Sequence, residues 1–487
     1  MGAMKTRSAS VGIWVNEVVS FVVFCLLDIV DYLLCLLYKA ADYLLEAEWK
    51  PCYCLSPKKL ITTSRGNILF PHNNCESKIL TVSPLQQLSG RSKIELEEIS
   101  ETLYSRPSLL SDLSKLSVND LTKWLVKVTR SHSDCGEIKI SKKRRRTIMK
   151  SSFTVVEMLQ GKIRPQNLNR QVSRWSDCDC GFCTYWTSTC DKDLFVKTQF
   201  PKGNSGNEDV LFIHGFISSS AFWTETVFPR LSKSKYRLFA VDLLGFGKSP
   251  KPADSLYTMR EHVEMIEKSV LFKHNVKSFH IVAHSLGCIL ALGLVAKHGG
   301  SIKSLTLLAP PYHPVPTTEA DPRQYVMKKV APRKIWPPIA FGASMACWYE
   351  HISRTICLLI CKNHRLWQFL AKLITRNNSR TVNFLIEGFM CHTHNAAWHT
   401  LHNIICGVGS KLDSYLDMVQ DKLKCNVAIF HGRDDEVVPV ECSYNVQSRI
   451  PRARVKVVEN KDHITLVVGR QVEFAKELEE IWKSSSC

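Results

Sequence analysis

The chain is short of acidic residues. Its 487 residues include 45 Asp and Glu against 64 Lys and Arg, which leaves a formal net charge of +19 at pH 7. Such a charge favours polyanionic surroundings, such as lipid headgroups, acidic polysaccharide or nucleic acid. A recognisable nucleic-acid-binding motif is missing, so no nucleic-acid partner is expected. A membrane surface or an acidic polysaccharide is therefore the predicted partner of the basic surface.

The sequence also lacks a standard metal site. Cys178, Cys180 and Cys183 lie close enough in sequence to share a metal, but zinc sites usually use a second ligand pair, and none is obvious. We favour one or two local disulfides in this cluster, with zinc as the alternative. The histidine-rich stretch Cys391–His402 has no acidic ligand and no standard spacing, so we expect it to line a cap. No metal and no cofactor is predicted.

A long uninterrupted apolar run is absent as well. The apolar stretch Val11–Leu45 is broken by Asp28 and Asp31, whereas a transmembrane helix needs about 20 apolar residues. Its basic start and short apolar run resemble a signal peptide or signal anchor, which is our preferred interpretation of segment 1–54. A helix lying on a membrane and a buried N-terminal helix are the alternatives.

The segment 55–193 is basic and rich in cysteine, with scattered serine and only short apolar pieces. Such a composition predicts a poorly ordered extension. Within it we expect one helical patch at Ile94–Leu103, and a solvated basic loop at residues 142–146. Cys52 and Cys54, just ahead of it, are candidates for acylation or for disulfides.

The stretch Phe279–Gly293 carries the strongest signal of chemistry. Five apolar residues that predict a buried strand lead into His284, Ser285, Leu286 and Gly287, and a helical pattern of small apolar residues follows. A serine on a sharp turn between a strand and a helix is typical of a nucleophile elbow. The motif is A-x-S-x-G, with Ala283 where glycine is commoner. Ser285 is therefore the predicted nucleophile.

Strands and helices alternate around this elbow, and nearly all-apolar strands in such a pattern indicate a mostly parallel sheet covered on both faces. We expect two parts of one catalytic core, 194–310 and 425–487, with a helical cap, 311–424, inserted between them. The predicted strands are Leu194–Gln199, Val210–His214, Phe239–Asp242, Phe279–Ala283, Ser304–Ala309, Val427–His431 and Arg454–Val458. The predicted helices are Tyr257–Lys273, Phe341–Cys361, Leu366–Thr375, Asn395–Ile405, Leu412–Leu423 and Gln471–Trp482. The predicted fold class is thus an α/β-hydrolase fold with a helical cap and an N-terminal membrane or signal extension.

A nucleophilic serine needs a base, and the base needs a carboxylate that fixes its tautomer. In this fold the acid and the histidine follow the serine in chain order. The spacing from Gly432 to Pro439 selects Asp435 as the acid, with Asp434 as the alternative. His463 lies in a loop after the last strand and is the predicted general base.

An oxyanion hole must accompany the triad, because two backbone N–H groups stabilise the charge of the tetrahedral intermediate. Leu286, directly after the nucleophile, is predicted to supply one amide. The loop after the strand Val210–His214 is predicted to supply the other, from Phe216. His214 and Gly215 shape that turn.

Beyond these motifs the chain resembles the BODYGUARD group of plant α/β-hydrolases. The resemblance covers nearly the whole chain outside parts of 55–174, and the group shares the A-H-S-L-G elbow. The strings that carry it include EAEWKPCYC, SETLYSRPSLL, RWSDC, HGFISSSAFWTETVFPRL, AVDLLGFGKSPKP, HIVAHSLGCILAL, WYEHISRT and CHTHNAAWHTLHNII. By analogy Ser285, Asp435 and His463 form the triad, and His214 belongs to the first active-site loop.

The resemblance implies a serine hydrolase, named a probable lysophospholipase, that takes part in forming the plant cuticle. It also implies a place in the cell wall or at the outer face of the plasma membrane, with a lipid anchor as one option. We therefore expect a serine hydrolase or acyltransferase acting on lipid or long-chain acyl esters. The alternative is a non-catalytic α/β-hydrolase serving as a receptor or cell-wall scaffold.

Overall fold

The computed structural model describes residues 2–46, with side chains from Asn16 to Leu45, and 193–485 except for 202–207, 233–234, 253–254, 375–383 and 385–387. Between these parts it describes four short strands, Ser100, Thr102, Trp175 and Ser176. The predictions for Cys52, Cys54, the cysteine cluster after Trp175 and the basic run 142–146 lie outside the described residues.

The chain begins with one long helix, α1, Gly2–Glu46. Four strands follow and form an antiparallel sheet in the order β1-β2-β3-β4: β1 Ile61–Thr62, β2 Ile68–Pro71, β3 Ser77–Leu80 and β4 Leu96–Ile99. The helix predicted at Ile94–Leu103 is therefore wrong. Leu and Glu favour a helix locally, but pairing of β4 with β3 overrides that preference, as tertiary context often does. The predicted extension thus contains a small sheet.

The core is a seven-stranded sheet, as the alternation predicted. Its strands are β5 Val196–Gln199, β6 Glu208–Ile213, β7 Tyr236–Val241, β8 Phe279–His284, β9 Ile302–Leu308, β10 Asn426–Gly432 and β11 Arg454–Val458. Their order is β11-β10-β9-β8-β6-β7-β5. Every neighbouring pair is parallel except β5 with β7 at the edge. The sheet is therefore mostly parallel, and the elbow strand β8 is at its centre.

The helices of the core begin with α2 (Ala221–Thr224) and α3 (Met259–Ile266), which a π-helical segment extends to Phe272. Helix α4 (Leu286–His298) follows the elbow. Thr258 begins α3 with a capping box, since its hydroxyl accepts from the Glu261 amide while the Glu261 carboxylate accepts from the Thr258 amide. All six residues of β8 and the first ten of α4 are buried, which accounts for the apolar pattern around Ser285.

The cap lies between β9 and β10 in the chain, as predicted. Its helices are α5 Pro322–Val330, α6 Pro338–Trp348, α7 Glu350–Lys362, α8 His364–Ile374, α9 His394–Thr400 and α10 Leu412–Lys422. The single helix predicted at Phe341–Cys361 is two helices, because Tyr349 takes an extended conformation between α6 and α7. Helix α5 was not predicted. After the cap, α11 (Glu441–Arg449) and α12 (Gln471–Ser484) complete the core.

Candidate active site

Ser285 lies at the turn between β8 and α4. Its backbone has φ 53° and ψ −121°, a conformation that L residues rarely adopt and that is often found at functional turns. The Ser285 amide donates to the Leu308 carbonyl oxygen at 2.8 Å, which ties the turn to β9. Gly287 packs so closely that a Cβ there would lie 2.7 Å from the His214 carbonyl oxygen. The small residue after the serine is therefore required by the close approach of α4 to β6.

Asp435 and His463 come together across two loops. Nδ1 of His463 is 2.7 Å from Oδ2 of Asp435. The other carboxylate oxygen, Oδ1, accepts from the amides of Val437 and Val438 at 2.9 and 2.8 Å. One carboxylate oxygen of Asp435 therefore binds the His463 imidazole, and the other oxygen is bound by the amides of the loop that contains Asp435. The alternative, Asp434, makes no such contact with His463; its amide donates to the Lys461 carbonyl oxygen.

A second histidine, His431, lies next to the Asp435 carboxylate. Its Nε2 lies 2.8 Å from the Val438 carbonyl oxygen and 3.5 Å from Oδ2 of Asp435. Burial of Asp435 opposes its charge, but hydrogen bonds from His431 and His463 outweigh burial and hold the pKa of Asp435 well below its usual range. The acid is thus ionised at neutral pH. His431 was missed from sequence; its place at the end of β10, four residues before Asp435, was the available signal.

The approach of the two loops depends on Gly432. A Cβ at this position would lie 2.3 Å from the Lys461 carbonyl oxygen. The loop that carries His463 also contacts the turn at Ser285. Nε2 of His284 lies 3.0 Å from the His463 carbonyl oxygen. The two imidazole rings are 4.6 Å apart, and the His284 ring stacks on Phe222. His284, which directly precedes Ser285, thus links the turn of the predicted nucleophile to the loop that carries His463.

His284 is buried, and burial lowers its pKa to about 3, so the ring is neutral at physiological pH. A neutral ring beside His463 adds no positive charge that would oppose protonation of the base. In the sequence, His284 stands out only as the residue before the serine of the motif. Its role as a link between loops depends on a contact across 179 residues of sequence.

The loop after β6 approaches the serine closely. A Cβ on Gly215 would lie 3.1 Å from Cβ of Ser285. His214 is fully buried, with Nδ1 donating to the Gly215 carbonyl oxygen at 2.7 Å and Nε2 accepting from the Leu243 amide at 2.9 Å. Burial lowers the pKa of His214, which suits this neutral tautomer. Both ring nitrogens bind main chain, so His214 is suited to positioning the loop rather than to proton transfer.

Phe216 and Leu286, the predicted oxyanion donors, lie in the loop after β6 and at the start of α4. Leu286 is the first residue of α4, where an amide has no acceptor within the helix. Phe216 follows Gly215 and precedes Ile217, whose φ of 49° marks a sharp bend in the loop. Both amides therefore belong to turns that flank Ser285. Their roles as oxyanion donors stay predictions.

A further acid, Asp242, orders the loop after β6 and was not predicted. Oδ1 of Asp242 accepts from the Ser220 amide at 2.6 Å, and Oδ2 accepts from the Lys248 amide at 2.7 Å. A Cβ on Gly247 would lie 2.2 Å from Oδ2, so the loop after β7 needs glycine there. Asp242 thus joins the loops after β6 and β7 at the same edge of the sheet.

The cap covers this edge. Phe246 forms an isolated bridge with His392, and its ring is 5.9 Å from that of Phe216. Nδ1 of His392 donates to the Phe389 carbonyl oxygen at 2.6 Å. Burial lowers the pKa of His392 to about 4. This part of the histidine-rich stretch therefore packs against the loop after β7, next to Phe216, in line with its expected place in the cap.

The rest of the histidine-rich stretch is buried between the cap and the N-terminal residues. Nδ1 of His402 lies 2.9 Å from Oγ1 of Thr102, and its ring packs on Trp398 at 4.3 Å. Within the described residues, no group of three or more His, Cys, Asp or Glu side chains is arranged to hold a metal.

The fold and the site define a class of protein. A family model described as the alpha/beta hydrolase fold matches residues 210–469. Solved structures with this fold include a bromoperoxidase from Bacillus anthracis (16% identity, TM-score 0.44) and an esterase from Rhodococcus (18% identity, TM-score 0.42). Each match covers 60% of this chain and 95% of the other. The chain is a member of the α/β-hydrolase superfamily.

Two relatives assign the chain to a group within this superfamily. The chain is 77% identical to "Probable lysophospholipase BODYGUARD 3" of Arabidopsis thaliana over the full length of both chains. It is 55% identical to "Probable lysophospholipase BODYGUARD 1" of the same plant, over 97% of each chain. The chain therefore belongs to the BODYGUARD group of α/β-hydrolases, as the sequence resemblance indicated.

Proposed function

We propose that the protein is a serine hydrolase or acyltransferase that acts on lipid acyl esters. The observation that carries the proposal is the Asp435–His463 pair, held at 2.7 Å and linked through His284 to the turn that presents Ser285. A carboxylate, an imidazole and a serine on a strained turn are the parts that acyl transfer needs. The names of the BODYGUARD relatives, probable lysophospholipases, support lipid esters as the substrate class.

In the proposed mechanism, Oγ of Ser285 attacks the ester carbonyl carbon while Nε2 of His463 takes its proton. Asp435 accepts from Nδ1–H of His463 and stabilises the imidazolium that forms. The amides of Phe216 and Leu286 stabilise the oxyanion of the tetrahedral intermediate. The intermediate collapses, the ester C–O bond breaks, and His463 returns the proton to the leaving alcohol.

The acyl-Ser285 enzyme then reacts with a second nucleophile. Water releases a free acid, whereas an alcohol gives a new ester. In both cases His463 takes the proton of the incoming hydroxyl, the bond between the acyl carbon and Oγ of Ser285 breaks, and His463 returns the proton to Oγ. The contact of His392 with Phe246, whose ring is 5.9 Å from that of Phe216, supports a cap that would exclude water and bind an acyl chain. A dry site that admits a hydroxy-acyl alcohol would build polyester rather than cleave it.

The proposed setting is the plant cuticle, with the protein in the cell wall or at the outer face of the plasma membrane. The resemblance to the BODYGUARD group supports it, and so does the net charge of +19, which suits acidic polysaccharide or anionic lipid. Retention on polysaccharide predicts release from isolated walls by salt. Release by detergent alone would point to a lipid surface.

The test of the catalytic proposal is labelling with a fluorophosphonate probe, followed by mapping of the modified peptide. We expect the label on Ser285, and none on the Ser285→Ala variant. If the folded wild-type protein stays unlabelled, the protein is a receptor or scaffold instead. Lipid analysis after incubation with lysophospholipid, with and without a monoacylglycerol acceptor, then separates hydrolysis from transfer.

A further inference from the structure

The N-terminal helix α1 is attached to the cap by specific polar contacts. Oδ1 of Asp31 accepts from the amides of His351 and Ile352 at 2.9 and 3.0 Å. These amides belong to the first turn of α7, where a helix has donors without intrahelical acceptors. Asp31 therefore caps α7 from a different part of the chain, a contact that needs α1 in one register.

A buried ion pair fixes α1 nearer its C-terminal end. NH1 and NH2 of Arg354 donate to the two oxygens of Asp42 at 2.9 and 2.7 Å. Nε of Arg354 donates to Oγ of Ser176 at 3.0 Å, and the guanidinium lies 4.5 Å from the ring of Tyr38. Arg354 and Asp42 are both less than a tenth exposed. Without α1, Arg354 would lose both its carboxylate partner and the Tyr38 ring that covers the guanidinium.

The contacts continue toward the N-terminal end of the helix. Oγ of Ser20 accepts from the Ile335 amide at 3.1 Å, and the Tyr349 hydroxyl donates to the Phe24 carbonyl oxygen at 3.1 Å. The buried residues of α1 recur every three or four positions and so share one stripe: Ser20, Phe24, Asp28, Asp31, Cys35, Tyr38 and Asp42. The aspartates that interrupt the apolar run in the sequence thus all point at the cap.

The opposite face of α1 is apolar and exposed. From Val18 to Leu45, every exposed residue is aliphatic or tyrosine, and all three aspartates are buried. Val22, Leu26, Ile29 and Leu33 lie on this outer face and are 46–57% exposed. A helix on a water-soluble protein has its apolar face inward and its polar face outward. Here the inner stripe mixes apolar residues such as Phe24 with the three aspartates, while the outer face is apolar as well, so the outer face favours an apolar surrounding.

We propose that α1 stays in the mature protein as a part of the cap, and that its outer face lies in the interfacial layer of a lipid bilayer. Apart from Tyr32 and Tyr43, the exposed residues of this face have no polar side chains, which favours lipid over a protein partner, because protein interfaces carry roughly one hydrogen bond per 100–200 Å². Exposed tryptophans on the cap, Trp336 and Trp367, are of the type enriched at membrane interfaces. The net charge of +19 favours anionic headgroups.

Two other arrangements conflict with the contacts. A spanning helix would take the cap into the hydrocarbon, since the contacts from Ser20 to Asp42 extend about 33 Å along the axis. Buried polar residues such as Arg354 would then be at membrane depth, where charges are costly. A cleaved signal peptide would remove both Asp31 and Asp42 and leave their partners on α7 unsatisfied. Helix α1 therefore lies along the membrane rather than across it.

The first experiment determines the mature N-terminus. The full-length protein is expressed in a plant secretory host, and its N-terminal peptide is identified by mass spectrometry. We expect residues 20–42 to be present in the mature protein. A mature chain that begins after residue 46 overturns the proposal. The readout does not use catalysis, so its outcome is independent of the proposed hydrolase function.

The second experiment measures binding of the full chain to vesicles by flotation. We expect the protein to float with phosphatidylcholine vesicles, and more strongly when they contain phosphatidylglycerol. The variant Leu26→Glu/Leu33→Glu should lose about tenfold or more of its vesicle binding, because two exposed leucines of the proposed lipid-facing surface are exchanged for charges. The matched control, Phe272→Glu/Val472→Glu, makes the same charge change at exposed apolar residues of the core and should bind like the wild type.

The result that overturns the proposal is a wild-type protein that does not float, or a Leu26→Glu/Leu33→Glu variant that floats equally well. A wild-type protein that dimerises through α1 without vesicles would indicate a second copy as the occupant. Thermal unfolding of each variant shows whether it is folded. In microsomes, a tag placed before Met1 and the catalytic domain should be on the same side; opposite sides would show a spanning helix.

Discussion

Two buried carboxylates in this protein, Asp435 and Asp42, each bind a basic side chain, but one partner is a histidine and the other an arginine. Asp435 accepts a hydrogen bond from His463, the predicted general base, where two loops meet. Asp42 holds Arg354, which stays charged, in a closed contact between α1 and the cap. The proposed catalytic pair and the structural pair therefore differ in the partner rather than in the buried acid.

The largest expected effect comes from Asp435→Asn. The amide should keep the backbone contacts with Val437 and Val438 but lose the ionised acceptor for Nδ1–H of His463. The ring would then take the wrong tautomer, and turnover should fall on the order of 10⁴-fold. Rates with a p-nitrophenyl acyl ester test this, and Asp434→Asn is the matched control. An Asp435→Asn variant with near-normal rates would remove Asp435 from the mechanism.

Asp42→Ala should act on stability instead of chemistry. It leaves Arg354 buried and unpaired, so the free energy of unfolding should fall by about 3–5 kcal/mol. Fluorophosphonate labelling of Ser285 at low temperature should persist. The double variant Asp42→Leu/Arg354→Leu removes both charges and should recover much of the loss. Urea unfolding checks both variants, and equal midpoints for Asp42→Ala and wild type would contradict the structural role.

The contact between α1 and the cap should weaken at alkaline pH. Burial opposes the charge of His351, but Asp31, with Oδ2 3.6 Å from Nδ1, outweighs it together with Cys35 and Glu350, and raises the pKa of His351 to about 9. Because the folded pKa exceeds the unfolded value of about 6.5, this stabilisation is complete below pH 6.5 and disappears as pH rises through 9. It amounts to at most about 3 kcal/mol.

Urea unfolding midpoints between pH 6.5 and 9.5 measure this effect. The wild-type midpoint should fall over the range, while His351→Asn should show a smaller slope. Equal slopes for the two proteins would show that His351 is not the group that titrates. Activity at a saturating substrate concentration should not follow the same curve, because His351 does not contact the triad.

The smallest expected effect comes from Tyr38→Phe. It removes the hydrogen bond of 2.9 Å between the Tyr38 hydroxyl and Oγ1 of Thr355 and keeps the ring against Arg354. The loss should be about 1 kcal/mol. A double-mutant cycle with Thr355→Val isolates the pair, since Thr355→Val alone also removes a hydrogen bond to the His351 carbonyl oxygen. A coupling energy near zero would show that the pair contributes nothing.

Much of the fold could be predicted because its signals are local. The strand Arg454–Val458 was predicted with its observed bounds, and the elbow strand to within one residue. The elbow strand is an apolar run buried on both faces of the sheet, whereas Arg454–Val458 is a partly exposed edge strand in which side chains alternate. Helix α5 was missed although Asp321 and Pro322 are local signals for its start, and strand β4 was misassigned because it depends on pairing with β3.

The candidate site divides in the same way. Ser285, Asp435 and His463 were predicted from order and spacing, which the strand ends of the fold impose. His431, His284 and Asp242 were not predicted, because their partners are loops that meet only when parallel strands end at one edge. Their roles come from distances between loops, and no local pattern records those distances.

The amino-acid sequence was sufficient for the nucleophile elbow, since a strand, a small-residue turn and a helix impose the conformation of Ser285 locally. It was not sufficient for α1. Hydropathy treats Asp28 and Asp31 as interruptions of an apolar run, whatever direction they face. Only packing against α7 makes Asp31 a helix cap and Asp42 a partner of Arg354, because the cost of a buried charge depends on its partner.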